Sequence, residues 1–274
     1  MVLARYPERT GAMIALHKTA SDLASCNYDV FVPTMGALHS GHQSLISLGK
    51  TKGKKVLVSI FVNPLQFEKQ SDLENYPKSI EKDLELASNA GADGVFLPDQ
   101  KEIYPGEINE IPAGPIGEIY EGKSRPKHFN GVLTVVKRLF ELTTPKIAVF
   151  GEKDFQQLYL IKKMVKDYAI PVEILSGPII RDQQGIALSS RNSLLTKEQL
   201  KSAEVINQAL KHLKMEEMTM VFANQNDFKL DYLEIIDEDT FLKADKNSTK
   251  KRVIVAGWID QIRLIDNMPI PQAS

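Results

Sequence analysis

Two rhythms of apolar and polar positions run along the chain. Up to about residue 180, compact apolar runs stand apart from one another: VFVP at 30–33, VLVSIFV at 56–62, GVFLP at 94–98, KIAVF at 146–150 and VEIL at 172–175. Runs so little interrupted by polar residues suit strands that are covered on both faces. Between them, Ile80, Leu84 and Ala87 mark one helix, and Val132, Val135, Val136, Leu139 and Phe140 mark another at helical spacing. Strands alternating with helices predict an α/β fold, a doubly wound parallel sheet with helices on both faces.

The second rhythm begins after Arg181, where the turn DQQG leads into IALSSRN. TKEQLKSAEVINQALKHLK then opens with Thr196 three residues before Gln199, the spacing of a capping box at a helix start. From Asp227 onward DYLEII, RVIVAGW and IRLID read as strands of a smaller α+β unit. The expected organisation is a domain over 1–181 and a second over 182–274. The stretch PGEINEIPAGPIG, rich in proline and glycine, reads as an irregular excursion able to overlie a site. The basic runs KTKGKK at 50–55 and KNSTKKR at 246–252 lack interleaved aromatics and read as solvated surface.

Composition narrows the class. The 34 Lys and Arg nearly balance the 35 Asp and Glu, leaving a net charge of -1, so no global field exists to hold nucleic acid or an anionic membrane. The single Cys26 excludes a disulfide framework. The opening MVLARYPERTGAMIALHK lacks the apolar core of a signal peptide, and nothing approaches the roughly 20 apolar residues of a membrane span. A cytoplasmic protein with small-molecule substrates is expected.

Candidate chemistry gathers at strand ends. PTMGALHSGH, residues 33–42, follows the first apolar run and precedes HQSLISLGK, whose Leu45, Ile46 and Leu48 suit a buried helical face. A helix start attracts anions through its unpaired N–H groups and dipole, Gly36 and Gly41 permit close approach, and His39 and His42 add donors one turn apart. The same pair could bind zinc, though no cysteine or third ligand is near, or could be buried histidines of no chemical importance. FVNPLQF, 61–67, offers the neutral amides Asn63 and Gln66 at the next strand end. GEKDFQQL, 151–158, offers Lys153 for phosphate, Asp154 for a helix cap or ribose hydroxyls, and Gln157. ALSSRN, 187–192, adds two hydroxyls and Arg191 in a loop, and SRPKHFNG, 124–131, adds Arg125 and His128.

Taken in order, PTMGALHSGH, SIFVNPLQF, the YP of ENYPK, RPKHFNGVLTVV, FGEKDFQQL, ALSSRN and RLIDN resemble the pantoate–β-alanine ligase family over nearly the whole chain. That family belongs to the nucleotidyltransferases marked by a His-x-Gly-His element. The resemblance implies a Rossmann-like fold and a two-step reaction. Pantoate attacks the α-phosphorus of ATP to give pantoyl adenylate and pyrophosphate, and β-alanine then displaces AMP to form pantothenate.

By position, the resemblance makes His42, His39, Lys153 and Arg191 catalytic. It assigns ATP to Met35, Gly36, Ala37, Leu38, His39, Ser40, Gly41 and His42, to Gly151, Glu152, Lys153 and Asp154, and to Ile180, Leu188, Ser189, Ser190 and Arg191. Pantoate falls to Gln66, Gln157, Met35 and Asn63, and β-alanine to Gln66. Pro33, Met35, Phe61, Val135 and Val136 would wall the dimethyl carbon. Mg²⁺ is implied with ATP, with Asp83 as its protein contact, and no organic prosthetic group. A homodimer is implied, with no nucleic-acid or membrane partner.

The sequence departs from the family pattern at Ser40, where an acidic residue is usual; at Lys127, where RPGHF has glycine; at Lys78, where arginine is usual; and in a shorter segment between Leu213 and Asp231. An adenylyltransferase for a phosphorylated acceptor would need cations where FVNPLQF and DFQQL offer amides. A tRNA-charging enzyme would need a nucleic-acid-binding domain, and an ATP sensor would have no need of Lys153 beside both histidines.

Overall fold

The computed structural model describes residues 2–4, 14–68, 70–77, 79–212 and 214–271, so the departure at Lys78 lies outside the described residues, as does Leu213 at the start of the shorter segment. The chain divides into two compact units. The first comprises Met1–Glu152 with Gln157–Pro178, and the second Lys153–Gln156 with Ile179–Ser274.

Among the described residues, the first unit is built on seven strands: β1 (Val2–Ala4), β2 (Ile14–His17), β3 (Val30–Thr34), β4 (Val56–Ile60), β5 (Gly94–Phe96), β6 (Ile147–Gly151) and β7 (Glu173–Gly177). Their order is β1-β2-β5-β4-β3-β6-β7, and all neighbours are parallel except the edge pair β1 and β2. The five predicted runs became β3 to β7, whereas β1 and β2 were not anticipated. Helices α1 (Ala20–Leu23), α2 (Ser40–Lys50), α3 (Gln70–Glu74), α4 (Ile80–Asn89), α5 (Gln100–Ile103), α6 (Glu121–Ser124), α7 (His128–Thr143) and α8 (Phe155–Asp167) follow in order.

Both sheet faces are covered, which explains why the strands are apolar at successive positions. Val30 and Val32 join Ile46 of α2 and Leu84 and Ala87 of α4 in one buried cluster. Phe31, between them, turns to the other face and meets Phe140 of α7 edge-on, with centroids 6.4 Å apart. Ile80, the first residue of the predicted α4 stripe, stays 42% exposed, since the helix begins there before reaching the sheet. From β3 the chain steps outward through β4 to β5, then returns to β6 on the other side of β3. The ends of β3 and β6 therefore flank the switch point where such sheets receive ligands.

The second unit pairs β8 (Lys229–Asp237), β9 (Lys251–Ile259) and β10 (Ile262–Ile270) antiparallel in the order β10-β9-β8. Helices α9 (Lys197–Leu210) and α10 (Met215–Ala223) cover it, burying Ile206, Leu210, Met218 and Phe222 against Val253, Val255 and Leu264. The Thr196 capping box is present, with Thr196 N–H donating to Gln199 Oε1 at 2.9 Å and Gln199 N–H to Thr196 Oγ1 at 3.2 Å. Arg252, at the end of a basic run read as solvated, is instead 5% exposed. β9 runs through the middle of its sheet and carries that side chain inside.

Candidate active site

In the first unit, residues 33–42 leave β3 and turn into α2. Gly36 (φ 85°) and Ala37 (φ 50°) adopt left-handed backbone there. A Cβ on Gly36 would lie 2.9 Å from Asp83 Oδ2 and 3.1 Å from Ile60, so glycine is required on two counts. Asp83 of α4 is 2% exposed, and its carboxylate accepts the N–H of Ala37 at 2.9 Å and of Leu38 at 2.7 Å. Burial pushes its carboxyl above the ordinary range, against the lowering effect of those two amides. The expected magnesium contact therefore does not fit this geometry: both oxygens brace the loop from inside. A carboxylate beside Leu84 on the buried stripe of α4 was the signal that could have revealed it.

The two histidines form an imidazole capping box. His39 is the N-cap of α2, its Nδ1 accepting from Gly41 N–H at 3.1 Å, while His42 Nδ1 accepts from His39 N–H at 3.4 Å. Their rings lie 4.1 Å apart between centroids. A nitrogen that accepts an N–H carries no proton, so in each neutral ring the proton sits on Nε2. This alters the expectation of an anion site made by free amides. The N–H of Gly36 goes to Thr34 Oγ1, those of Ala37 and Leu38 to Asp83, and those of His39 and Gly41 to the imidazoles. The side-chain donors this turn carries include the imidazole Nε2–H groups. Leu38, assigned to ATP, sends its side chain into the core at 5% exposure, whereas Ser40 is exposed on the outer side of the turn.

Gln66 closes a short turn after β4 and is 8% exposed, with its Nε2 2.7 Å from Met35 Sδ. The Gln66 turn and the histidine loop thus meet within one unit. Asn63, expected on the substrate, is 1% exposed and fully engaged. Its Nδ2 donates to Gln66 Oε1 at 3.3 Å and Gly131 O at 3.0 Å, and its Oδ1 accepts from Leu65 N–H at 3.3 Å and Tyr104 Oη at 2.9 Å. It orients Gln66 instead of reaching a ligand. Burial pushes the Tyr104 phenol well up, which keeps it a donor to Asn63. At Gly131 a Cβ would fall 2.4 Å from Leu65 O, so α7 can press on this turn only as glycine.

His128 extends the same support from the other side, its Nδ1 2.9 Å from Gln66 O. It is held at the start of α7 by Lys127, which keeps the left-handed backbone (φ 61°) that glycine would adopt without strain. Lys127 thus takes, as a non-glycine residue, the backbone region that favours glycine. Val135, Val136 and Phe61 are buried in this unit, Pro33 of β3 lies opposite Ser59 of β4, and Gln157 lies half-buried near the start of α8. Gly151 ends β6 and Glu152 follows it.

In the second unit, Lys153, Ser189 and Arg191 line one small concavity together with Asp266. Lys153 Nζ lies 3.8 Å from Asp154 Oδ1, and its side chain is 18% exposed. A small hairpin brings the other residues there: Leu188 N–H donates to Ile180 O at 2.9 Å, and Arg181 bridges Ala187. Ser189 then caps the turn 190–194, its Oγ accepting from Arg191 N–H at 3.2 Å, with Ser190 inside the turn and Arg191 exposed.

Among the described residues no helix is long and apolar enough to cross a membrane. The family model for pantoate-beta-alanine ligase matches residues 12–269. The chain is 45% identical over 251 residues to the pantothenate synthetase of Vesicomyosocius okutanii, covering 87% of this chain and 88% of that one. It is 43% identical to that of Acidothermus cellulolyticus, covering 89% and 86%. The crystal structure of pantothenate synthetase from Thermus thermophilus superposes with a TM-score of 0.89 at 37% identity, over 94% of this chain and 99% of that one. The Francisella tularensis pantoate-beta-alanine ligase, complexed with beta-gamma ATP and beta-alanine, superposes at 0.82 with 37% identity, over 95% and 99%. By sequence over nearly its full length and by fold, the chain belongs to the pantoate–β-alanine ligase family.

Proposed function

We infer that the protein condenses pantoate with β-alanine at the expense of ATP, releasing AMP and pyrophosphate through pantoyl adenylate. The observation that carries this reading is the contact of Gln66 Nε2 with Met35 Sδ, which ties the turn suited to the acid to the loop suited to the triphosphate.

In the first step a pantoate carboxylate oxygen bonds to the α-phosphorus, and the bond to the bridging oxygen of pyrophosphate breaks. Its nucleophile must keep its electron density. A guanidinium clamp would withdraw it, whereas the amides of Gln66 and Gln157 orient the acid without neutralising it. Asn63 and His128 support this by fixing the side chain and backbone of Gln66. The Nε2–H groups of His39 and His42 donate to the phosphates as charge builds on the leaving group, and Lys153 and Arg191 supply fixed positive charge. In the second step the β-alanine amine attacks the acyl carbon, AMP departs, and the amine proton is released.

Magnesium enters as part of the nucleotide substrate and lowers the charge of the triphosphate. Among the described residues no group of three or more His, Cys, Asp or Glu could hold it. We also assign the protein to the cytoplasm as a homodimer, both on family resemblance. Sedimentation as a 30.7 kDa species would remove the dimer.

Isotope exchange of pyrophosphate into ATP tests the order. Exchange should require pantoate and magnesium and proceed without β-alanine. Exchange in the absence of pantoate would overturn the adenylate step.

A further inference from the structure

The RLIDN segment has no part in the reaction as assigned above, yet Asp266 is 4% exposed and Asn267 only 2%. Buried polar groups persist only where they are paired, so their partners indicate what they do. Successive residues of a strand face opposite sides, and these neighbours on β10 accordingly engage two different segments.

Asn267 Nδ2 donates to the backbone oxygen of Lys153 at 2.9 Å. Its Oδ1 accepts from Arg252 Nη1 at 2.6 Å, and Arg252 Nε in turn donates to Glu238 Oε1 at 2.7 Å. The Arg252 guanidinium also lies 4.0 Å over the ring of Phe155, which stacks on Phe241 with centroids 6.0 Å apart. Lys153 and Phe155 are thereby fastened to β9 and β10 at both the carbonyl and the ring. Asp266 makes a bidentate pair with Arg181, at 2.5 Å to Nη1 and 2.9 Å to Nη2. Arg181 Nη1 also donates to Gly185 O at 3.0 Å, closing the hairpin that ends at Ser189 and Arg191.

We propose that Asp266 and Asn267 are positioning residues for adenylation, Asn267 setting the backbone of Lys153 and Asp266, through Arg181, setting the hairpin that carries Ser189 and Arg191. This rests on the assignment of Lys153 as the cation at the phosphorus. A lysine stem has four rotatable bonds, so its ammonium is aimed only as well as its base is fixed, and small displacements of a charged group at a reacting centre cost rate steeply. The pair converts two cations from distant parts of the chain into one rigid arrangement on a single strand.

Single-turnover formation of pantoyl adenylate from ATP, magnesium and pantoate, without β-alanine, separates positioning from folding. The rate reports alignment, and the amplitude per enzyme reports the folded fraction. Asn267→Asp keeps an acceptor for Arg252 and removes the donor to Lys153. We expect the rate to fall about tenfold or more at wild-type amplitude, with half-saturating pantoate little changed. An unchanged rate, or a lost amplitude at unchanged rate, overturns the proposal. If Asn267→Asp does not fold, Asn267→Ser carries the same comparison, because its hydroxyl can accept from Arg252 but stops short of the Lys153 carbonyl.

Lys153→Ala, run in parallel, should be slower by about 10²-fold. Wild-type speed there would overturn the assignment of Lys153 itself. A slow Lys153→Ala beside a fast Asn267→Asp would overturn only the positioning role. Asp266→Asn keeps the shape and removes the charge that holds Arg181, so half-saturating ATP should rise about fivefold at full amplitude, and no rise would remove Asp266 from the proposal.

Discussion

The backbone N–H of His39 donates to Nδ1 of His42, and the His39 ring caps the same helix in return. Two histidines three apart at a strand end thus have a structural task, and that task fixes which nitrogen of each ring carries the proton. Capping and chemistry are not rivals here, since the cap leaves Nε2–H as the donor.

Replacing His42 with alanine should slow pyrophosphate exchange by about 10²-fold, the scale of losing one preorganised donor. His42→Asn can still accept the His39 N–H and should recover the cap, worth about 1 kcal/mol in urea unfolding, without recovering the rate. If the alanine variant loses less than about threefold in rate, His42 is a cap alone.

Gln157→Ala should raise the KM for pantoate about tenfold, the value of one neutral hydrogen bond with its positioning effect, and leave the KM for ATP nearly constant. Initial rates with each substrate varied in turn check this. A defect confined to ATP would remove Gln157 from the acid site.

Lys127 holds a left-handed backbone at φ 61°. Lys127→Gly relieves that strain and should stabilise the protein by about 1 kcal/mol, after allowance for the extra freedom glycine gains in the unfolded chain. Urea midpoints would show it, and a destabilised variant would mean that the lysine stem makes compensating contacts.

Burial raises the carboxyl of Asp83 above its ordinary value of 3.8. Between that value and the raised one, the native protein holds a proton that the unfolded chain has released, so this group's contribution to stability falls as pH rises through the window. Asp83→Asn does not titrate. The stability of the wild type relative to Asp83→Asn should therefore decline from acid to neutral pH. A constant difference in urea midpoints would show that the folded and unfolded values coincide.

Much of this was legible in the chain. The β3 to β7 runs, the α7 stripe and the Thr196 capping box are local patterns of burial and hydrogen bonding, and local patterns are written in adjacent residues. The N-terminal strands were missed because β1 and β2 are short edge elements, secured by pairing with each other and with β5. The amide of Asn63 suits a substrate, and the family resemblance implies a magnesium contact for Asp83. Only the burial of each, and the partners brought from α4, α5 and α7, shows that they support the neighbouring loops.

The sequence by itself determined the alternating α/β architecture, the order of the motifs and the residue types available for adenylation, because periodicity and turn chemistry act over a few residues. Tertiary structure alone decided which polar groups face inward. Asn267 meeting Lys153, Asp266 meeting Arg181 and Asp83 meeting Ala37 join residues far apart in the chain. The need to pair every buried polar group selects these contacts, and that need exists only once the chain has folded.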